Sequence, residues 1–402
     1  MRTVVGAGSG AVEAALRAAW SGADPGPTDH AARPVAVPTC GDPVRPVDRW
    51  PGGGIGAVLD LALSADPGRR VGGVSLRRVP SAGGRYPVDA HVALDGGATG
   101  YDPLAHALYA PPPSGPGWTV RLTLAPDRTT WRYGRRSLPL LLLDLGHAVA
   151  AVRAASAATG AGATVTLARC AGGFPAATIR IGPASGPSPP PVSGPATADA
   201  AGPPARPADR QIVAALRSLA VPPVWVPSAS SPVPARVLLA RRSATWDEIT
   251  RPGAEDLPPA VFDAARACRS GLVDTHVVTR KDNRTLLAAL ARHSAGQVRL
   301  ADAAAILLVT ATPDPDPPTV VARHLDAAEV VHAAWLAATA HGVPARPVGS
   351  WIDARLDGPQ GRRRVTHALV LGGPAPPPTA SRKPGPAVGC HATTERHDRT
   401  EP

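Results

Sequence analysis

The chain has 402 residues, including 41 Gly and 49 Pro, and its formal net charge at pH 7 is +11. This length is enough for two domains, each with its own hydrophobic core. The positive charge is scattered and no nucleic-acid-binding motif accompanies it, so we expect no nucleic acid partner. The four Cys residues are far apart and form no Cys-x-x-Cys pair, which predicts reduced thiols, no metal site and a cytoplasmic protein.

The elements are predicted from apolar periodicity and from the Gly and Pro residues that interrupt it. Residues 1–54 are predicted to form a helix at 11–20 and an irregular segment. Residues 55–182 are predicted as a first α+β domain with helices at 56–65 and 138–159 and strands at 88–94, 119–124, 163–167 and 177–181. Residues 183–210 are read as a Pro/Ala/Gly linker, 211–385 as a second domain and 386–402 as a disordered tail. The longest apolar run, 138–145, is too short to span a bilayer, so we expect no membrane segment.

The loop Pro80-Ser81-Ala82-Gly83-Gly84 precedes the predicted strand at 88–94. Gly residues permit backbone conformations that other residues avoid, and they leave the main chain open to a flat ring. The Ser81 hydroxyl can donate or accept a hydrogen bond at the edge of such a ring. The loop is therefore a candidate ligand-binding element, although the same pattern also suits an ordinary surface turn.

Further short motifs follow this loop, at residues 100–108, 131–136 and 143–147. In this order and spacing, residues 55–182 resemble the SagB-type azoline dehydrogenases, which form thiazoles and oxazoles in ribosomally synthesised peptides. These enzymes are a branch of the nitroreductase-like flavoproteins. The resemblance implies an α+β fold, an FMN cofactor and an oxidoreductase activity.

The second half of the chain resembles the first. Leu143-Asp144 corresponds to Leu325-Asp326, and at the same constant offset both apolar helices are followed by a Gly, at 160 and 342. Strands are predicted on either side of the second helix, at 303–310 and 365–371. Nitroreductase-like proteins are typically homodimers with flavin at the subunit interface, so we expect two fused copies that form an intramolecular pseudo-dimer.

Basic residues of the second half resemble the family's phosphate grip. Arg241-Arg242-Ser243 is similar to its opening Arg-Arg-Ser motif, with Thr245 where a further basic residue is usual. The resemblance extends to Arg299 and to the C-terminal pair Arg382-Lys383. Guanidinium groups suit phosphate because their planar forks bind two oxygens at once.

Gly349-Ser350 follows the second long helix, where the family backbone reaches the flavin N5 edge. A main-chain N–H at that point would stabilise negative charge on the ring. The second half lacks a complete counterpart of the Pro80 loop, since Cys268-Arg269-Ser270-Gly271 has lost its Pro and one Gly. The first half lacks the Arg-Arg-Ser motif. The two halves together therefore predict one complete FMN site and one decayed site.

The catalytic candidates are Tyr133 and Arg132, which stand where the azoline dehydrogenases have a Tyr and a Lys. Tyr133 would act as a base if neighbouring Arg side chains lowered its pKa. Arg132 cannot lose its proton, which separates it from the Lys of the family.

Three functions remain open at this stage. The first is FMN-dependent oxidation of azolines in a modified precursor peptide, together with a cyclodehydratase complex. The second is an NAD(P)H-dependent nitroreductase acting on a small molecule. The third is a noncatalytic scaffold within a peptide-modifying complex. The sequence does not fix the oligomeric state.

Overall fold

A computed structural model describes residues 8–22, 45–46, 54–71, 74–94, 97–109, 117–182, 207–222, 225–228, 232–251, 256–268, 271–312, 317–358 and 361–374. Its helices are α1 Gly8–Trp20, α2 Gly54–Leu63, α3 Pro126–Tyr133, α4 Ser137–Ala158, α5 Pro207–Ser218, α6 Ala235–Ala240, α7 Trp246–Thr250, α8 Pro259–Ala267, α9 Arg280–Arg292 and α10 Pro317–Ala340. Its strands are β1 Arg45–Pro46, β2 Ala65–Val71, β3 Val74–Arg77, β4 Val88–Leu94, β5 Gly97–Asp102, β6 Ala107–Leu108, β7 Trp118–Leu124, β8 Ala163–Arg169, β9 Pro175–Ile181, β10 Asp274–Thr279, β11 Ala305–Ala311, β12 Ala345–Val348, β13 Arg355–Gly358 and β14 Gly361–Leu371.

Two antiparallel sheets share one strand order. In the first sheet the order is β1-β6-β5-β4-β7-β9-β8, and in the second it is β10-β11-β14-β12 with β13 paired to β14. The run β4-β7-β9-β8 therefore corresponds to β10-β11-β14-β12. In each run a long helix, α4 or α10, follows the second strand along the chain. The mixed α+β class predicted from the sequence is confirmed.

The two long helices end in the same way, at corresponding positions of the two halves. Gly160 and Gly342 are left-handed, with φ of 77° and 67°. Ala161 N–H donates to the Ser156 carbonyl, and Val343 N–H donates to the Ala338 carbonyl, both at 2.8 Å. This is the Schellman pattern, which satisfies carbonyls that the helix end leaves free.

Helices α4 and α10 pack against each other between the two sheets. A Cβ atom added at Gly146 would lie 2.6 Å from the Ala328 Cβ, so the helices approach closely at this Gly. Side chains of α10, including Leu325, belong to the core of the first half, and Leu143 of α4 belongs to the core of the second. By length and composition the segment containing α3 and α4 could cross a membrane, but 94% of its most apolar window is buried inside the protein.

The predicted strands and long helices are confirmed to within a few residues. The predicted linker at 183–210 is wrong at its end, because α5 begins at Pro207. Helix α5 buries Ile212, Ala215 and Leu216 in the first core, and this apolar spacing gives it a reason to fold. Residues 183–206 lie outside the part of the chain described above, as does the predicted tail.

Candidate functional site

A cavity of about 340 Å³ lies between the two halves. The first half contributes the Pro80 loop, the end of α3 and one face of α4. The second half contributes Ser243, the turn after α9, strand β12 with the two residues that follow it, and His367 of β14. The residues that line it are Pro80, Ser81, Ala82, Gly83, Arg132, Tyr133, Arg136, Leu140, Leu143, Asp144, His147, Ser243, Ala295, Gln297, Arg346, Pro347, Val348, Gly349, Ser350 and His367.

The Pro80 loop is fastened to α4 by Asp144. The Ser81 hydroxyl donates to Asp144 Oδ2 at 2.7 Å, and the Ala82 N–H donates to Asp144 Oδ1 at 3.1 Å. The Ser81 oxygen in turn accepts from the Tyr86 N–H at 2.8 Å. These bonds fix the loop as one wall of the cavity, and Gly84, although part of the loop, does not reach the lining.

Asp144 is a buried carboxyl in an otherwise apolar stretch of α4. Burial raises its pKa to about 7, although the hydrogen bonds from Ser81 and Ala82 oppose that shift. A carboxyl with such a pKa can hold or release a proton near neutral pH. In the sequence Asp144 belongs to the motif 143–147 and to the repeat but was not a site candidate, although a lone acid between Leu residues could have marked it.

Tyr133 ends α3 and lies directly on the loop. A Cβ atom at Gly83 would be 2.5 Å from Tyr133 Oη, and Gly83 has φ of 58°, so only Gly fits here. Burial, followed by the charge of Asp144, raises the pKa of Tyr133. The condition under which Tyr133 would act as a base, a lowered pKa, is therefore not met, because loss of hydration outweighs the neighbouring Arg charges. The raised pKa keeps the Tyr133 phenol neutral near pH 7.

The opposite wall is the chain after β12. A Cβ atom at Gly349 would lie 3.0 Å from Leu143 Cδ1 and 3.2 Å from Leu140 Cδ2, so this backbone packs closely on α4. Gly349 and Ser350 both line the cavity, on the wall where the sequence placed a flavin contact.

Three Arg side chains line the cavity: Arg132, Arg136 and Arg346. Arg346 donates to the Ala244 carbonyl at 3.0 Å and lies over the Trp246 ring at 5.2 Å. Burial lowers its pKa, and Tyr133 partly offsets this. The cavity thus has a cationic side next to Ser243, although Arg136 and Arg346 were not singled out from the sequence.

The structure gives the predicted phosphate-binding Arg residues other partners. Arg241 is buried, donates to the Arg78 carbonyl and stacks on Trp335 at 4.5 Å. Arg242 pairs with Glu248, and Arg299 donates to Asp247 Oδ1 at 2.7 Å. Of the predicted group, Ser243 lines the cavity. Arg382 and Lys383 lie outside the described residues.

Thr245 shows why this segment departs from the family motif. It caps α7, accepting a hydrogen bond from the Glu248 N–H, while the Glu248 carboxylate accepts from the Thr245 N–H at 2.8 Å. This capping box favours a hydroxyl at the position where the motif has a basic residue.

A chain of three buried His residues runs inward from the cavity wall, which His147 and His367 line, to His332. His367 Nδ1 donates to the Val348 carbonyl at 3.1 Å, so in its neutral form Nε2 accepts from His147 Nε2, 2.8 Å away. His147 Nδ1 then accepts from His332 Nδ1 at 3.3 Å. Burial is the main cause that lowers the pKa of all three. They join α4, α10 and β14 as neutral rings, so they position the cavity wall.

The fold is that of the nitroreductases. One protein from Anabaena variabilis, described as a nitroreductase, superposes with a TM-score of 0.61 at 16% identity, over 86% of this chain and 94% of its own. A nitroreductase with bound FMN from Bacteroides fragilis matches 40% of this chain and 97% of its own at 17% identity, with a TM-score of 0.26. A Desulfovibrio desulfuricans protein in complex with FMN matches 42% of this chain and all of its own at 19% identity, with a TM-score of 0.25. No protein-family profile and no curated protein matches the sequence.

Proposed function

We propose that the chain is an FMN-dependent oxidoreductase with one flavin site, formed by two fused nitroreductase-like halves. The observation that carries this proposal is the cavity of about 340 Å³, walled by the Pro80 loop on one side and by Gly349 and Ser350 on the other. Neither half contains both walls. A fused pair is also supported by the shared strand order and by the matching helix ends.

The residues present fit FMN. The cavity volume lies in the range of small-molecule sites. Leu140 and Leu143 offer an apolar surface to a flat ring, and the Gly83 and Gly349 backbones carry no side chain in its way. Arg346, Arg136 and Ser243 would hold the phosphate, because they line the cavity, whereas Arg241, Arg242 and Arg299 do not. Bound FMN would supply hydride transfer at its N5 atom.

The chain's own residues would manage the proton. Asp144 can hold it at Oδ2, which accepts from the Ser81 hydroxyl when the carboxylate is ionised and would donate to the Ser81 oxygen once protonated. Tyr133, as a neutral phenol beside Gly83, would orient a substrate by donating a hydrogen bond. The loop and α4 would exclude water from this end of the cavity, which strengthens both contacts.

The substrate we propose is an azoline in a ribosomally synthesised peptide, oxidised to the azole. Support comes from the order of short motifs in residues 55–182. On this proposal the partners are a modified precursor peptide and a cyclodehydratase complex, in the cytoplasm.

The test is to purify the full chain, record its visible absorption spectrum and identify any released cofactor by chromatography. We expect FMN at about one per chain, and reduction of that flavin by a thiazoline-containing peptide. Flavin that is reduced by NADPH and reoxidised by a nitroaromatic, but not reduced by the peptide, would instead select the small-molecule nitroreductase.

A noncatalytic scaffold is the second candidate function. It is favoured by the internal partners of Arg241, Arg242 and Arg299, which are the residues expected to grip phosphate. A protein that binds no FMN even with the cofactor in excess would decide for the scaffold.

A further inference from the structure

The carbonyl of Val348, on the wall of the cavity, accepts hydrogen bonds from two side chains. Trp351 Nε1 donates to it at 2.8 Å, and His367 Nδ1 donates to it at 3.1 Å. All three residues are buried, and hydrogen bonds are stronger in such surroundings than in water. Two donors on one buried oxygen therefore polarise this carbonyl strongly.

The second donor is the end of a longer series, the His chain, which is made of His332, His147 and His367. Because a carbonyl oxygen can only accept, the donors of all three rings point towards Val348. Burial lowers the pKa of each ring, so the rings are neutral. Hydrogen bonds aligned in series strengthen one another. The His chain thus adds to the polarisation of the Val348 carbonyl, although His332 does not line the cavity.

The other end of the same peptide is the Gly349 N–H. The Val348–Gly349 peptide is trans, and in a planar trans peptide the C=O and N–H bonds point in opposite directions. Polarisation of the Val348 carbonyl withdraws electron density from the amide nitrogen, so the Gly349 N–H becomes a stronger donor. Within the described part of the chain this N–H has no acceptor.

The register of β12 and β14 turns this N–H away from the sheet. Hydrogen bonding alternates along an antiparallel pair. The Pro344 carbonyl accepts from the Gly372 N–H on the β14 side, and Val348, four residues further on, is in phase with Pro344. The Val348 carbonyl therefore faces β14, which carries His367, and the Gly349 N–H faces the outer edge of β12. Gly349 lines the cavity at that edge.

We propose that Trp351 and the His chain are positioning residues that polarise the Val348–Gly349 peptide, so that the Gly349 N–H stabilises negative charge on the ligand in the cavity. The inference rests on the proposed function, in which that ligand is FMN. Reduced FMN carries more negative charge than oxidised FMN, so a stronger donor favours the reduced form. The buried His residues thus help to set the midpoint potential of the flavin.

The first measurement needs no flavin. In the full chain labelled with 13C-carbonyl Val and 15N Gly, only the four Val–Gly peptides give a cross peak, and Val348→Ile identifies the peak of Gly349 by its loss. Trp351→Phe keeps an aromatic ring but removes the Nε1 donor, so we expect it to move this 15N signal upfield. His332→Leu should move the signal in the same direction, because His332 is connected to Val348 through the other two rings of the His chain.

The second measurement is the midpoint potential of bound FMN. Trp351→Phe and His332→Leu should each weaken binding of reduced FMN relative to oxidised FMN by about three- to tenfold, which lowers a two-electron potential by about 15–30 mV. Trp335→Phe is the matched control, since among the described residues its buried Nε1 has no hydrogen-bond partner. This control should leave the ratio within about 1.5-fold, or about 5 mV.

If Trp351→Phe does not fold, His332→Leu decides alone. A Gly349 signal that moves no further in these variants than in Trp335→Phe would overturn the polarised peptide, whether or not FMN binds. A moved signal with an unchanged potential would overturn the effect on the flavin. Absence of FMN from the wild type would instead refute the proposed function, and the Gly349 signal would still decide whether the peptide is polarised.

Discussion

The two halves of the molecule treat equivalent positions on their long helices differently. In the first half, Asp144 and His147 line the cavity, and Asp144 fastens the Pro80 loop to α4. On the corresponding helix of the second half, Asp326 accepts a hydrogen bond from Trp225 Nε1 at 2.8 Å, and Glu329 accepts from the Ser228 N–H at 3.2 Å. On the proposed pairing of two halves, the segment 225–228 would lie where a second cavity would otherwise open.

Further contacts hold that segment in place. The Ser228 hydroxyl donates to the Cys268 carbonyl at 2.7 Å, and Arg153 bridges Glu329 and the Ser228 carbonyl. Trp225 is buried and belongs to the core of the first half. Asp144 and Asp326 thus occupy the same helix position in the two halves. Asp144 holds the Pro80 loop beside the cavity, whereas Asp326 anchors the Trp225 side chain. Arg269 and Ser270, part of the expected decayed loop, lie outside the described residues.

The largest effect is expected from a substitution that blocks the cavity at the Pro80 loop. Gly83→Val would place a branched side chain against Tyr133 Oη at a left-handed position, and we expect FMN affinity to fall by about 100-fold or more. Flavin absorbance after gel filtration measures the loss. Gly10→Ala is the control, because no atom lies within 4 Å of its added Cβ. Unchanged flavin binding in Gly83→Val would place the cofactor elsewhere.

Removing the Trp225 side chain should lower the free energy of unfolding and leave flavin binding intact. Trp225→Ala removes a buried ring and the hydrogen bond that it donates to Asp326, so we expect the free energy of unfolding to fall by about 3–5 kcal/mol. Urea unfolding measures this, with Val226→Ala as the exposed neighbour control. FMN should stay at one per chain in the folded variant. A loss of FMN in Trp225→Ala would move the cofactor to the second half.

Asp144, the buried carboxyl beside the cavity, makes the free energy of unfolding depend on pH. Because the pKa of Asp144 is raised in the folded state to about 7, its contribution is full below about pH 4 and is lost as the pH rises towards 7. Asp144→Asn removes this loss, so its stability relative to wild type should rise by roughly 3–4 kcal/mol from pH 4 to pH 8. Unfolding at both pH values tests the sign. A parallel pH profile for the two proteins would mean that the pKa of Asp144 is the same in the folded and unfolded states, which contradicts the raised value.

Two Arg residues of the second half distinguish the cavity from the sequence motif. Arg346 lines the cavity, whereas Arg242 pairs with Glu248 at the surface. We expect Arg346→Ala to weaken FMN binding by about tenfold and Arg242→Ala by less than about twofold. Fluorescence titration with FMN measures both. The reverse order would restore the Arg-Arg-Ser motif as the phosphate grip.

Much of the fold was predictable because it depends on local patterns. The long apolar run 138–159 predicted α4, and the apolar run 303–310 predicted β11. The repeat was visible in Gly160 and Gly342, since only a left-handed helix end requires Gly there. The Pro80 loop and Gly349 were also chosen from the sequence, and both line the cavity.

Local residue order was sufficient for the α+β elements, the repeated helix with its Gly cap and the loop whose Gly residues leave room for a ligand. It could not determine which Arg side chains face the cavity, because Arg241, Arg242 and Arg346 are chemically alike and their partners are distant in the chain. The packing of the folded chain decided that Tyr133 has a raised pKa, that Asp144 is buried against Ser81 and that Trp225 fills the second side. The physical reason is that burial and long-range contacts set these properties, and neither is encoded in local residue order.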